Sequence, residues 1–214
     1  IKNTKLNNFS DGQLFSTTVY VTSPGKHPSG YQVLWAWLDG NMAVLPTNAV
    51  YDSGVSPKVA EAAQKSDMQN SKTTAALAAL HFLKSAGLFP NQSWSPSDVS
   101  IDMKDAGGAS GGLAFALAMI AKSADPGLIS NRKIAVTGTI TTDGKVGEIG
   151  GLDQKILGAK ESGAKIFLLP KGDCDSWSKK PAGMDFYVVS TLSEAVHALA
   201  LSASPASVAI AKRT

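Results

Sequence analysis

The stretch Gly107-Gly108-Ala109-Ser110-Gly111-Gly112, followed without a break by the apolar run Leu113 to Ala121, constrains this chain more than any other. The run has no polar or charged residue from Leu113 to Ala121, and a helix apolar on every side has to lie inside the molecule. Four glycines clear the side chains from around a single serine just before that helix begins. Ser110 is therefore expected at an exposed helix start, near backbone N–H groups that can hold a negative charge. A loop of this kind either cradles a phosphate or builds an oxyanion hole.

With 214 residues, 43% of them hydrophobic and 17% charged, the chain can bury a sizeable core and is not of disordered composition. The net charge of +3 comes without a dense basic run or an aromatic-basic stripe, which gives nucleic acid no support as a partner. The single cysteine, Cys174, excludes an internal disulfide and any multi-cysteine zinc site. No apolar run reaches the length of about eighteen residues that a membrane-spanning helix needs. The start at Ile1 rather than Met is expected of a fragment or a processed form, from which a targeting or anchoring segment could have been lost.

Residues Gln13 to Val21 alternate and are rich in β-branched and aromatic types, which predicts a strand. Tyr31 to Leu38 and Met42 to Leu45 are read as two more, giving an opening antiparallel sheet of about three strands. Ser56-Pro57 predicts a helix start, and the spacing of Met68, Ser71, Ala75, Ala78, Ala79 and Phe82 continues a helix or helix pair to Gly87. Phe89 to Ser97 reads as a loop, and Val99, Ile101 and Met103 as a short strand delivering the glycine-rich loop. Beyond the helix Leu113 to Ala121, Lys133 to Ile140 reads as a strand, Thr141-Thr142-Asp143-Gly144 as a hairpin turn, and Lys145 to Ile149 as its return. A helix over Leu152 to Ser162, strands over Ala164 to Leu169 and Phe186 to Val189, and a capped helix from Thr191-Leu192-Ser193-Glu194 complete the pattern. The mixture lacks strict βαβ alternation and predicts an α+β domain. One domain is expected over 1–214, with N-terminal strands and helices in 1–90, a core in 98–202 and a tail in 203–214.

Three histidines are present, His27, His81 and His197, and none is flanked by residues that would present it to a cleft, so each reads as structural or surface. No HExxH or paired acidic cluster supports a metal site. Gly112 is followed by Leu113 where a P-loop needs Lys-Ser/Thr, and the spacing of Gly144, Gly147 and Gly150 is wrong for a dinucleotide fingerprint. A lysine remains as a base for Ser110, provided burial lowers its pKa. Lys155, bordered by Leu152, Ile156 and Leu157 behind Gly150-Gly151, is the candidate. A solvated helix lysine is the other reading, and spacing alone favours it.

From Val99 to about Leu201 the chain resembles the proteolytic domain of the Lon family of serine proteases. The matching words are Gly107-Gly108-Ala109-Ser110-Gly111-Gly112-Leu113, Thr137-Gly138-Thr139-Ile140 with Asp143-Gly144-Lys145-Val146, and Ile149-Gly150-Gly151-Leu152-Asp153-Gln154-Lys155. Thr17-Thr18-Val19, Tyr31 to Leu38 and Asp67-Met68-Gln69-Asn70-Ser71 extend the likeness to bacterial Lon-like proteases that carry a PDZ domain and a membrane anchor. The resemblance implies mixed sheets packed with helices, a ribosomal protein S5 domain 2-like fold. It implies Ser110 as nucleophile, Lys155 as general base and Thr137 beside the pair, with Gly108, Ala109 and Gly111 around the oxyanion. Two departures stand out. Ala109-Ser110-Gly111-Gly112 replaces the usual Pro-Ser-Ala-Gly, and Asp105 does not align with the acidic residue of ATP-dependent relatives.

The implied activity is ATP-independent serine endopeptidase action on polypeptides through an acyl-enzyme, with no cofactor and no metal. No ATPase motif is present, and the stretch between Gly87 and Val99 leaves no room for a PDZ insert. A homo-oligomer, a hexameric ring by resemblance, and an extracytoplasmic, membrane-associated location are further implications, with a cytoplasmic location as the alternative. Two other function classes stay open at this point. A small-molecule kinase could bind nucleotide phosphates with the same loop, and a catalytically weak ring-forming scaffold is suggested by the altered loop.

Overall fold

Two short runs, Ile134-Ala135-Val136 and Ile166-Phe167-Leu168-Leu169, are apolar at every position, as strands buried on both faces must be. In the computed structural model they form the middle of a sheet with helices on each side. Residues 3–9, 11–23, 25–39, 42–51, 54–88, 95, 99–101, 107–175 and 181–201 are described. The strands are β1 (Asn3–Phe9), β2 (Gly12–Thr17), β3 (Lys133–Val136), β4 (Thr139–Ile140), β5 (Val146–Gly147), β6 (Ile166–Pro170) and β7 (Asp185–Val189). The helices are α1 (Gly30–Asp39), α2 (Pro57–Ser85), α3 (Gly112–Ser123), α4 (Leu152–Glu161) and α5 (Leu192–Leu201).

Among the described residues the main sheet has the order β1-β2-β3-β6-β7, and β4 and β5 pair as a separate ribbon. Only the β1–β2 pair of the main sheet is antiparallel; β2, β3, β6 and β7 run parallel, with Ser16 beside Val136, Val136 beside Leu168, and Leu168 beside Tyr187. Side chains alternate across this sheet. Leu14, Ile134, Val136, Ile166 and Leu168 face the cluster built by α2, α3 and α5, while Phe15, Ala135 and Phe167 face Leu152, Ile156 and Ala159 of α4. The architecture is the expected α+β mixture of sheet and packed helices. Helix α3 is buried from Gly112 to Ala121, held between the sheet and the alanine-rich face of α2.

The opening of the chain differs from its sequence reading. The expected three-stranded antiparallel sheet is absent among the described residues: Tyr31 to Leu38 is helical, and Met42 to Leu45 belongs to no strand. An eight-residue apolar run does not distinguish strand from helix by itself, and here a local cap decides. The Ser29 and Gln32 side chains form a capping box, in which Gln32 N–H donates to Ser29 Oγ at 3.4 Å and Ser29 N–H donates to Gln32 Oε1 at 2.8 Å. The antiparallel partner of β2 is instead β1.

Elsewhere the boundaries move for identifiable reasons. Helix α2 is one continuous helix, and Ser56 caps it by accepting from Val59 N–H. The single strand expected over Lys133 to Ile140 divides, because the Gly138 backbone leaves the sheet to pair with the start of α3. Val99 and Ile101 lie in no strand, although the Lys72 ammonium donates to Ile101 O at 2.8 Å. Met103, Asp105, most of the Phe89 to Ser97 loop and the tail from Ser202 lie outside the described residues.

Candidate active site

In a parallel sheet the crevice beyond the C-terminal ends of the strands is the usual ligand site, because chain connections there leave space between neighbouring loops. Strands β2, β3 and β6 end side by side at Thr17, Val136 and Pro170. Thr137 follows β3, and its N–H still donates to Leu168 O on β6 at 3.1 Å. Gly138 then turns away and forms a two-way bracket with the serine loop. Its N–H donates to Ser110 O at 2.9 Å, and its carbonyl accepts from Leu113 N–H at 3.0 Å. Ser110, half-buried at the entry to α3, is thereby joined to the end of the central strand.

Helix α2 holds the same loop from the other side. Gly108 N–H donates to Gln64 O at 2.9 Å, and Ser71 Oγ–H donates to Ala109 O at 3.0 Å. An added Cβ at Gly111 would stand 2.8 Å from Phe115 Cζ and 3.1 Å from Ser16 Oγ, so a side chain here would require the Phe115 ring to shift. Ser16 Oγ is itself buried, without a hydrogen-bond partner among the described residues.

Lys155 comes from the first turns of α4, on the opposite face of the sheet. Gly151 at the helix start adopts a left-handed conformation with φ of 68°, which suits glycine, and its carbonyl accepts from Lys155 N–H at 3.0 Å. The lysine side chain is only 2% exposed, and its ammonium donates to the fully buried Thr137 Oγ1 at 3.2 Å. Burial disfavours the charged form and lowers the Lys155 pKa to about 8, against an opposing pull from the Asp173 carboxylate. Ser110, Thr137 and Lys155 are thus connected through two contacts centred on Thr137-Gly138. The three histidines are elsewhere: His27 and His197 are exposed, and His81 on α2 pairs through Nδ1 with Thr142 O at 2.9 Å on the β4–β5 turn.

Comparison with known proteins gives this arrangement a family. The family model for the Lon protease (S16) C-terminal proteolytic domain matches residues 28–202. The chain belongs to this family. Similar proteins include the Lon protease of Lachnoclostridium phytofermentans, 39% identical over 97 residues that make up 43% of this chain and 12% of that relative. The mitochondrial Lon protease homolog of Emericella nidulans is 26% identical over 179 residues, 78% of this chain and 16% of its own length. Its counterpart in Kluyveromyces lactis is 38% identical over 74 residues, 35% of this chain and 6% of that protein. The chain therefore corresponds to a small part of each of these Lon relatives.

Several residues around the Lon-type loop had no signal in the sequence. Asp173 is one: it is 6% exposed and follows β6 on a short helical turn, Lys171–Asp173. Gln64 is another, and Ser71, read in the sequence as a position on the helix and in the Lon-like words, showed there no sign of its contact with the loop, which depends on how α2 crosses α3. Ser16, an inward-facing position on β2, can be placed beneath the loop only once the register of β2 against β3 is known.

Proposed function

We propose that this chain is a serine endopeptidase domain that cleaves polypeptides, with Ser110 as nucleophile and Lys155 as general base. The observation that carries the proposal is the buried Lys155 ammonium resting on Thr137, one residue from the Gly138 amide that binds Ser110 O. A lysine with a pKa near 8 is neutral in a substantial fraction of molecules just above neutral pH and can accept a proton. In the reaction the Ser110 hydroxyl oxygen bonds to the scissile carbonyl carbon, and its proton passes to Lys155 Nζ. The lysine then protonates the departing amine as the C–N bond breaks. Water, deprotonated by Lys155, attacks the acyl-enzyme and releases the second product with the serine restored.

Developing negative charge on the carbonyl oxygen needs preorganised donors, each worth about 3 kcal/mol where measured in other enzymes. The Gly108 amide is engaged by Gln64 O, which leaves this role to the backbone around Ala109, Ser110 and Gly111. Thr137 holds the lysine in place. The bacterial affiliation, ring assembly and membrane anchor implied by the sequence resemblance belong to this proposal and rest on that resemblance alone.

Cleavage of a fluorogenic peptide library and of casein tests the reading. Turnover is expected for the wild type and is abolished by Ser110→Ala and by Lys155→Ala, while circular dichroism shows a retained fold. Activity surviving in either folded variant overturns the assignment. Because only neutral Lys155 is a base, kcat/KM is expected to rise with pH through about 8. A profile flat from pH 6 to pH 9 contradicts a lysine base.

A further inference from the structure

The short turn Lys171–Asp173 follows β6 directly and lies against β5. Asp173 is buried there, and its Oδ2 accepts from Ile149 N–H at 3.1 Å, two residues before the left-handed Gly151 that starts α4. Gly172 lies directly against the neighbouring segment: an added Cβ there would stand 2.5 Å from Glu148 Cγ and Oε1, so the exposed Glu148 side chain would have to move aside. The segment that delivers Lys155 is therefore fastened at Ile149 by a carboxylate on the neighbouring strand's end.

We propose that Asp173 is a positioning residue for Lys155, fixing through Ile149 the turn that leads into α4 and setting a carboxylate in the same buried layer as the ammonium. The inference rests on the assignment of Lys155 as the base. A buried ammonium with only the Thr137 hydroxyl for company would shed its proton more readily; a nearby carboxylate favours keeping it. Burial lowers the Lys155 pKa and Asp173 raises it. Burial and the neighbouring Glu148 raise the Asp173 pKa, while the Ile149 amide and Lys155 lower it. The Lys155 pKa of about 8 is the balance of its burial against the pull of Asp173.

Asp173→Asn separates the two roles, because an asparagine Oδ1 can still accept from Ile149 N–H while its side chain has no charge. Carbon-13 lysine NMR on the intact chain reads the Lys155 titration directly, with the resonance assigned by its loss in Lys155→Met. The midpoint is expected to move toward acid by more than about half a pH unit in Asp173→Asn, and the rise of kcat/KM with pH to move with it. If asparagine is not accommodated, Asp173→Ser, smaller and also carrying an oxygen acceptor, serves for the same measurement. An unmoved Lys155 midpoint in a folded uncharged variant overturns the proposal. Peptide turnover that survives Ser110→Ala or Lys155→Ala overturns the underlying function instead, and the NMR midpoint is independent of that result.

Discussion

At Gly111 an alanine would be acceptable to the backbone, whose φ of −84° and ψ of −8° are ordinary right-handed values. What excludes it is space: the extra methyl meets Phe115 Cζ at 2.8 Å and Ser16 Oγ at 3.1 Å. The loop Ala109-Ser110-Gly111-Gly112 and the phenylalanine one turn into α3 are thus fitted to each other. Gly111→Ala, which restores the residue usual in the resembling proteases, is expected to destabilise the chain by about 1–3 kcal/mol through overpacking. Adding Phe115→Leu should recover much of that loss, as read from the urea midpoints of the two single variants and the double. Additive single effects would show that the two sites are not in contact. Ser110 stands out in the sequence because it sits in a contiguous run of glycines before an apolar helix, whereas Lys155 was singled out by the Lon-like words around it, spacing alone favouring a solvated lysine. Asp173 was not legible, since its meaning depends on the Ile149 amide, 24 positions away and brought near only by the fold.

Among the elements, those marked by side-chain caps were the easiest to read. Ser56-Pro57 opens α2, and Glu194 N–H donates to Thr191 Oγ1 at 3.1 Å while Ser190 N–H donates to Glu194 Oε2 at 2.7 Å at the start of α5. Helix α1 was misread although its own cap was present in Ser29-Gly30-Tyr31-Gln32, because a run rich in tryptophan, valine and leucine suggests a strand. Only Ala36 of α1 is buried, and Trp37 is 80% exposed, so packing contributes little to holding this helix. Its cap should matter correspondingly more. Ser29→Ala is expected to weaken α1 locally by about 1 kcal/mol. Hydrogen exchange is the measurement: amides of residues 34–38 should exchange several-fold faster while those of α3 stay unchanged. Equal exchange in wild type and variant would mean that the capping box does not sustain the helix. The split between β3 and β4 was hidden for a different reason, as the bracket between Gly138 and the α3 start joins residues far apart in the chain.

For the molecule as a whole, the sheet order is what converts scattered motifs into a site. Residues near 17, 137 and 173 come to the same edge of the sheet because β2, β3 and β6 are parallel and adjacent, with α3 and α4 packed on its opposite faces. Local sequence carries the strands and helices but not their lateral order, which is why the site's second rank of contacts emerged only with the structure. Placing a lysine between these layers also ties the stability of the entire fold to pH. The folded pKa of Lys155 is about 8 against an ordinary 10.5, so between these values the unfolded chain holds a proton that the folded protein has released. Stability must then rise with pH through this window, by an amount on the order of 3 kcal/mol for this residue alone, and the contribution is lost as pH falls through about 8. Comparing wild type with Lys155→Met isolates the effect, because the other titrating groups are shared. The difference in unfolding free energy between the two, measured in urea from pH 7 to pH 10, should shift toward the wild type as pH increases. Parallel curves across that range would show that Lys155 keeps an ordinary pKa inside the folded protein, and the penalty assigned to its burial would be wrong.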